Sequence, residues 1–256
     1  MSTPQQPMSD DRLAQLRAAL LAAYEEGALW GNSRPQFVLP EGVARGGEQH
    51  LIFLTLVYAI SGGREAEALW SAARAAYEAE PSLFDPKTLA YAQPQAFVEP
   101  LKAHGVSQKG KVDGVTWHKI GKAIVMRGQG SVKTILETYN DDAKALLTML
   151  NENKTTFPVL SGAQTGPRWL WGLASAGEQS LKGAARLPVS VSAAVERALD
   201  SLQISFGVIS VEVWEAAAVL GERGCRQRPL SASVCPVATA CPVSLFCRYQ
   251  SDDLSV

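Results

Sequence analysis

"EQHLIFLTLVYAISGGREAEALWSAARAAYEAEP", residues 48–81, carries two successive segments with helical rather than strand patterning. The first is almost wholly apolar and is stopped by Gly62 and Gly63; the second is amphipathic and is stopped by Pro81. The apolar run "LIFLTLVYAI" is too short to cross a membrane and reads as a buried helix.

The same pattern extends in both directions. Upstream, "SDDRLAQLRAALLAAYEEG" (9–27) offers a capping Ser9 or the aspartates after it and a stop at Gly27, and "WGNSRPQFVLPEGVARGG" (30–47) reads as loop. Downstream, helices are expected in "DPKTLAYAQ", "VTWHKIGKAIVMRG", "SVKTILETY", "DDAKALLTMLNEN", "GPRWLWGLASAG", "VSAAVERALDSL" and "VEVWEAAAVLGERG". Period-2 strands are scarce and no solenoid repeat stands out, so the expected class is all-α. Only "LQISFGVISVEVW" (202–214) is strand-like, and it reads equally as a turn between helices.

With 256 residues and 46% hydrophobic content, the chain can bury a substantial core as one large domain or two small ones, without disulfides. Its first residues, "MSTPQQPMSDDRLAQ", lack a basic segment followed by an apolar one, so a reducing cytoplasm is the expected compartment. Net charge is −1, but between residues 101 and 133 seven bases (Lys102, Lys109, Lys111, Lys119, Lys122, Arg127, Lys133) face one acid, Asp113. That segment reads either as a nucleic-acid-facing surface or as an ordinary solvated lysine face.

All four cysteines fall in "GCRQRPLSASVCPVATACPVSLFC" (224–247), with the spacing C-x9-C-x5-C-x5-C through Cys225, Cys235, Cys241 and Cys247. Four thiolates suit tetrahedral zinc or an iron-sulfur cluster. Structural zinc usually takes cysteine pairs two to four residues apart, and none occurs here; wider gaps suit a [4Fe-4S] cubane, whose corners are separated. Zinc, disulfides and uncomplexed thiols remain the alternatives. Pro236 and Pro242 each follow a candidate ligand and would turn the chain away from the site. No hydride or radical motif accompanies the thiols, which favours a structural or DNA-linked cluster.

Upstream, "FPVLSGAQTGPRWLW" (157–171) is a glycine-bearing turn leading into a helix, which can offer backbone N–H groups to a phosphate. "LPVSVSAAVERAL" (187–199) follows as a short extended lead into another helix. The order of a hairpin turn, a "PVDxHVxR"-like lead and a cysteine-rich end resembles the helix-hairpin-helix DNA glycosylases related to endonuclease III and the adenine glycosylase. The likeness is greatest to a branch with a "FPxLSG" hairpin and a "GC…CP…CP…FC" end, and it covers roughly residues 51–247.

The resemblance implies two helical subdomains with a DNA-binding cleft, a helix-hairpin-helix and a C-terminal [4Fe-4S] loop. The expected division is 1–59, packing with the C-terminal subdomain; 60–170, a bundle ending in the hairpin; and 171–256, the last helices and cluster loop. The implied function is base excision repair: binding double-stranded DNA as a monomer, flipping a damaged or modified base and hydrolysing its N-glycosidic bond, in a cytoplasmic, nucleoid-associated protein without a membrane partner. The implied enzyme is a monofunctional N-glycosylase rather than a lyase. The alternatives are an inactive DNA structure- or lesion-binding protein of the same fold, and an iron-sulfur protein with no role on DNA. Implied DNA contacts are Gly162, Gln164, Gly166, Arg168, Lys119, Lys122 and Arg226, with Arg223 and Arg228 also near the first cysteine.

Several residues depart from the family pattern. Its cysteine loop reads C-x6-C-x2-C-x5-C, and only the last gap agrees. Ser192 stands where the family has its catalytic aspartate, Gly166 where bifunctional members have a lysine, and Gln164 where a hairpin glycine is usual. A serine cannot supply a full negative charge at neutral pH, so a carboxylate would have to come from elsewhere, with Glu65, Glu178, Glu196 and Asp200 as candidates. His104, His118 and Lys182 read as surface residues or phosphate contacts, and Trp169, Trp171 and Trp214 as core or as base-stacking residues. Gly62 and Gly63 occupy the turn where relatives present a wedge to the duplex.

Overall fold

A computed structural model of the chain describes residues 10–29, 34–202, 204, 208–225 and 241–247. Among them are eleven α-helices and two three-residue strands, so the protein is all-α. Contacts divide the chain into a continuous unit, Arg34–Leu187, and a discontinuous one, Met1–Ser33 with Pro188–Val256. The continuous unit is wider than the expected 60–170, because it also takes in residues 34–59 and 171–187.

The reason lies in α2 (Glu48–Ala59), whose ten residues from His50 to Ala59 are all buried. A helix apolar all round has no face to give to water and must be surrounded. It packs against α6 (Lys111–Gly128), α7 (Val132–Thr138) and α9 (Thr165–Ser175), which fixes it inside the continuous unit. Trp169 of α9 donates its indole N–H to Thr55 Oγ1 at 3.0 Å, and Thr55 donates onward to the Leu51 carbonyl at 2.7 Å. Amphipathic α3 (Ala66–Ala79) brings Trp70 and Tyr77 against Phe53, and Phe84 links this group edge-on to Trp117.

The remaining helices of this unit are α4 (Pro86–Tyr91), α5 (Val98–Ala103) and α8 (Ala143–Glu152). Helix α4 lies so close to α6 that a Cβ on Gly121 would be 2.2 Å from the Leu89 Cβ. Helix starts follow capping chemistry: Asp85, Ser131 and Asp142 accept from the N–H three residues on. Glu48 adds a long-range cap, accepting from Ser131 Oγ and the Val132 N–H at the start of α7. Buried Asp113 accepts from Ser107 Oγ and the N–H groups of Gln108 and Lys109, which shapes the loop before α6. Arg64 holds the same loop by donating to the Val106 carbonyl.

In the discontinuous unit, α1 (Asp10–Glu25) packs on α11 (Val211–Val219) through buried Leu16, Leu20, Ala23 and Tyr24. Arg17 pairs with Glu212, and the Tyr24 hydroxyl donates to Glu215 at 3.3 Å. Within the strand-or-turn stretch, Val208–Ser210 form strand β2, which runs directly into α11. Its antiparallel partner is β1 (Pro188–Ser190), in register Pro188↔Ser210, Val189↔Ile209, Ser190↔Val208. β1 leads through Ser192 into α10 (Ala193–Ser201), which also packs on α11. Among the described residues no helix is long and apolar enough to cross a membrane.

Candidate functional site

The turn between α8 and α9 is built by its own backbone. The Thr156 and Phe157 N–H groups donate to the Asn153 carbonyl, Ser161 N–H to Phe157, Gly162 N–H to Val159, and Gly166 N–H to Gly162. Buried Phe157 and Leu160 anchor the turn in the core. Val159 between them is exposed with φ +66, an uncommon conformation for a β-branched residue. No side chain caps α9, whose N-cap residue is Gln164; because the Gly166 N–H is already given to the Gly162 carbonyl and Pro167 has none, the first turn of α9 has few donors to offer an outside acceptor. Arg168 lies within that turn and is partly buried.

Gly166 is an architectural residue. A Cβ there would stand 2.6 Å from the Leu160 carbonyl oxygen and 3.1 Å from Leu147 Cδ1. A lysine at this position requires the turn to move, so a lysine nucleophile has no place in this backbone. Ser192 is the N-cap of α10: its hydroxyl accepts from the Val195 N–H at 3.4 Å.

The carboxylates proposed as replacements have other surroundings. Glu65 caps α3, accepting from the N–H groups of Glu67 and Ala68. Glu178 is exposed at φ +53, with Arg45 at 3.9 Å. Glu196 is exposed in the first turn of α10, and Asp200 is partly buried near its other end. The carboxylate that sequence reasoning missed is Glu215, buried on α11. Its only sequence signal is an acid set between Trp214 and three alanines in the mostly apolar run "VEVWEAAAVL", which also holds Glu212.

Trp169 and Trp214 belong to the core: both are buried, and Trp214 donates to the Ser190 carbonyl at 3.1 Å. Trp171 is partly exposed. His104 lies 3.7 Å from Glu80, and Lys182 donates to the Asn140 carbonyl at 3.2 Å. Gly62 and Gly63 are exposed, with open space where a Cβ would stand.

Helix α11 ends in a single π-helical turn, Leu220–Gly224, which includes Arg223 and delivers Cys225, whose N–H donates to the Leu220 carbonyl at 2.8 Å. Cys241 and Cys247 flank a short 3-10 turn, and all three cysteines are partly buried. Among the described residues no group of three or more His, Cys, Asp or Glu side chains is gathered as a metal ion requires. Cys235, Arg226, Arg228 and Pro236 lie outside the described residues.

Lys119 and Lys122 are exposed on α6, where they line an open groove of about 570 Å³ together with Val115, Met126, Arg127 and Thr155. His118 closes one side and donates from Nδ1 to the Leu89 carbonyl at 2.8 Å. Arg127 donates to Asn153 Oδ1 at 2.5 Å and so ties α6 to the C-terminal end of α8. Compared with protein-family models, curated proteins and solved structures, the chain matches none.

Proposed function

We propose that this chain is a DNA-binding protein of the helix-hairpin-helix glycosylase type, which grips the phosphate backbone of duplex DNA with the turn between α8 and α9. The observation that carries the reading is this turn: a self-bonded backbone loop, packed glycine-to-carbonyl at Gly166, whose exposed tip at Ala163 leads into the start of α9. Recognition of a damaged or modified base follows in this reading from flipping it out of the stack.

The reaction class of the reading is hydrolysis of the N-glycosidic bond without lyase chemistry, given the contact at Gly166. As that bond breaks, positive charge develops at C1′ and a carboxylate beside it lowers the barrier. Ser192 supplies a neutral hydroxyl, already used as a helix cap. That observation favours a second reading, in which the protein binds the lesion or distorted duplex and does not cut it. A [4Fe-4S] cluster rests on the number and spacing of the four thiols, with zinc as the alternative. Metal analysis of purified protein separates them, at about four iron or about one zinc per chain.

The test is a salt titration of duplex binding combined with a cleavage panel. Affinity should fall with salt at a log–log slope of about −0.9 per phosphate contacted. Placing an acid at the exposed turn with Ala163→Asp should weaken binding about tenfold. Duplexes carrying uracil, an oxidised purine, an alkylated base or a mismatch, treated with alkali after incubation, report base removal. Binding without strand scission leaves the second reading; scission establishes hydrolysis. Salt-independent or undetectable binding sinks both.

A further inference from the structure

We propose that the groove along α6 docks an acidic, amphipathic segment of a partner protein. The exposed face of α6 carries Val112, Val115, Lys119, Lys122 and Met126, at steps of three, four, three and four residues. That is a continuous stripe along one side of a helix. Its two ends are apolar and strongly exposed, Val112 at 60% and Met126 at 73%, while its middle is cationic.

The opposite face of α6 is fully used: Trp117, Ile120, Gly121 and Ile124 are buried in the bundle. The stripe is therefore surplus to the fold. A neighbouring strip of apolar and cationic side chains at helical period complements a segment that alternates apolar residues with carboxylates.

Charge decides the sign of the occupant. Lys111, Lys119, Lys122 and Arg127 are all exposed on α6, whereas the helix's one acid, Asp113, is buried and occupied with its own loop. Among the described residues no carboxylate lines the groove. Chemistry decides the class. A nucleic acid would use the cations but leave Val115 and Met126 without a role, and the groove has no aromatic ring on which a base could stack. Methionine at a docking surface is the side chain best able to adapt to an apolar partner. The inference does not depend on the hairpin reading, since neither the stripe nor its charge involves residues 157–168.

The experiment is a selection from a displayed library of 14-residue peptides, acidic and neutral, on the full-length chain, followed by anisotropy titration of the enriched sequences. Enriched peptides should combine carboxylates with apolar residues at helical spacing. Lys119→Glu with Lys122→Glu should weaken them about tenfold or more, and Met126→Ser several-fold. Because no variant is needed for it, methyl-labelled methionine NMR on the unaltered chain guards against a folding artefact: Met126 should shift on peptide addition while buried Met149 stays. A labelled duplex and a labelled single strand form the comparison arm. The inference is overturned by no enrichment, by enriched peptides that leave Met126 unshifted, or by oligonucleotides that lose binding with the lysine reversals but are indifferent to Met126→Ser. Failure there leaves the hairpin's salt-dependent DNA binding to be judged by Ala163→Asp alone.

Discussion

His50 sits inside the largely apolar helix α2 with 0% of its surface exposed. The Gly46 N–H donates to Nδ1 at 3.1 Å, so Nε2 carries the proton, and that buried N–H meets no partner among the described residues. Burial first and the nearby Arg45 charge second push its pKa down to about 4. The folded protein thus resists protonating a group that the unfolded chain protonates near pH 6.5. The neutral imidazole's contribution is complete above pH 6.5 and is lost as pH falls toward 4, by about 3 kcal/mol. Denaturant melts at pH 7 and pH 4.5 should show this loss, and His50→Leu should remove most of it; equal pH sensitivity in both proteins would refute the assignment. Neither this residue nor the contact at Gly166 was legible beforehand. His104 and His118 drew notice because they stand among cations, while what perturbs His50 is the fold around it. Gly166 likewise gives no sign in the sequence of the Leu160 carbonyl that lies against it.

At the scale of elements, the reading succeeded wherever a segment carried its own period and punctuation. Helices α1, α2, α3, α4 and α8 all lie within the stretches expected, ended by Gly27, Gly63 or Pro81 or begun by aspartate caps. It missed α5, a six-residue helix with Pro100 inside it, and it left β2 undecided between strand and turn and β1 as an extended lead, because three-residue strands have no room to show a period and exist only through each other. Helix α10 shows how one residue can serve two arguments. The helix was expected from the pattern of "VSAAVERALDSL", with Ser192 noted only for its place in the resemblance, and what the structure adds is that the hydroxyl caps the helix. Ser192→Ala should therefore cost about 1 kcal/mol, and Ser192→Asp should cost nearly nothing, since both serine and aspartate cap well. Equilibrium denaturation measures the two. The aspartate variant also bears on function: if position 192 faces a flipped nucleotide, Ser192→Asp should gain base removal on a duplex that the unaltered chain only binds. A stable variant with no gained cleavage on any of the damaged duplexes would detach Ser192 from the site.

At the scale of the molecule, membership of a unit is decided by what each helix must bury, which is why composition could not place the boundaries. The termini were expected to share a subdomain, and the division joins Met1–Ser33 with Pro188–Val256. What local sequence could not convey is that α2, once surrounded by α6, α7 and α9, belongs with the middle of the chain. The continuous unit holds the aromatic group of Phe53, Trp70, Tyr77, Phe84 and Trp117, both indole hydrogen bonds to Leu83 and Thr55, and its own helix caps. It is of ordinary domain size and needs no residue outside itself for that core. The other unit is different: α1 buries Leu16 and Leu20 and meets α11 through Arg17 with Glu212 and Tyr24 with Glu215, so its two halves hold each other. Residues 34–187 expressed alone should therefore melt cooperatively with a helical circular dichroism spectrum. Removing residues 1–33 from the full chain should cost helix beyond the deleted segment and leave that same transition in place. A fragment 34–187 that fails to melt cooperatively, or a truncation that abolishes both transitions together, would mean that the two units share one stability and that the boundary at residues 33 and 188 separates contacts without separating folding.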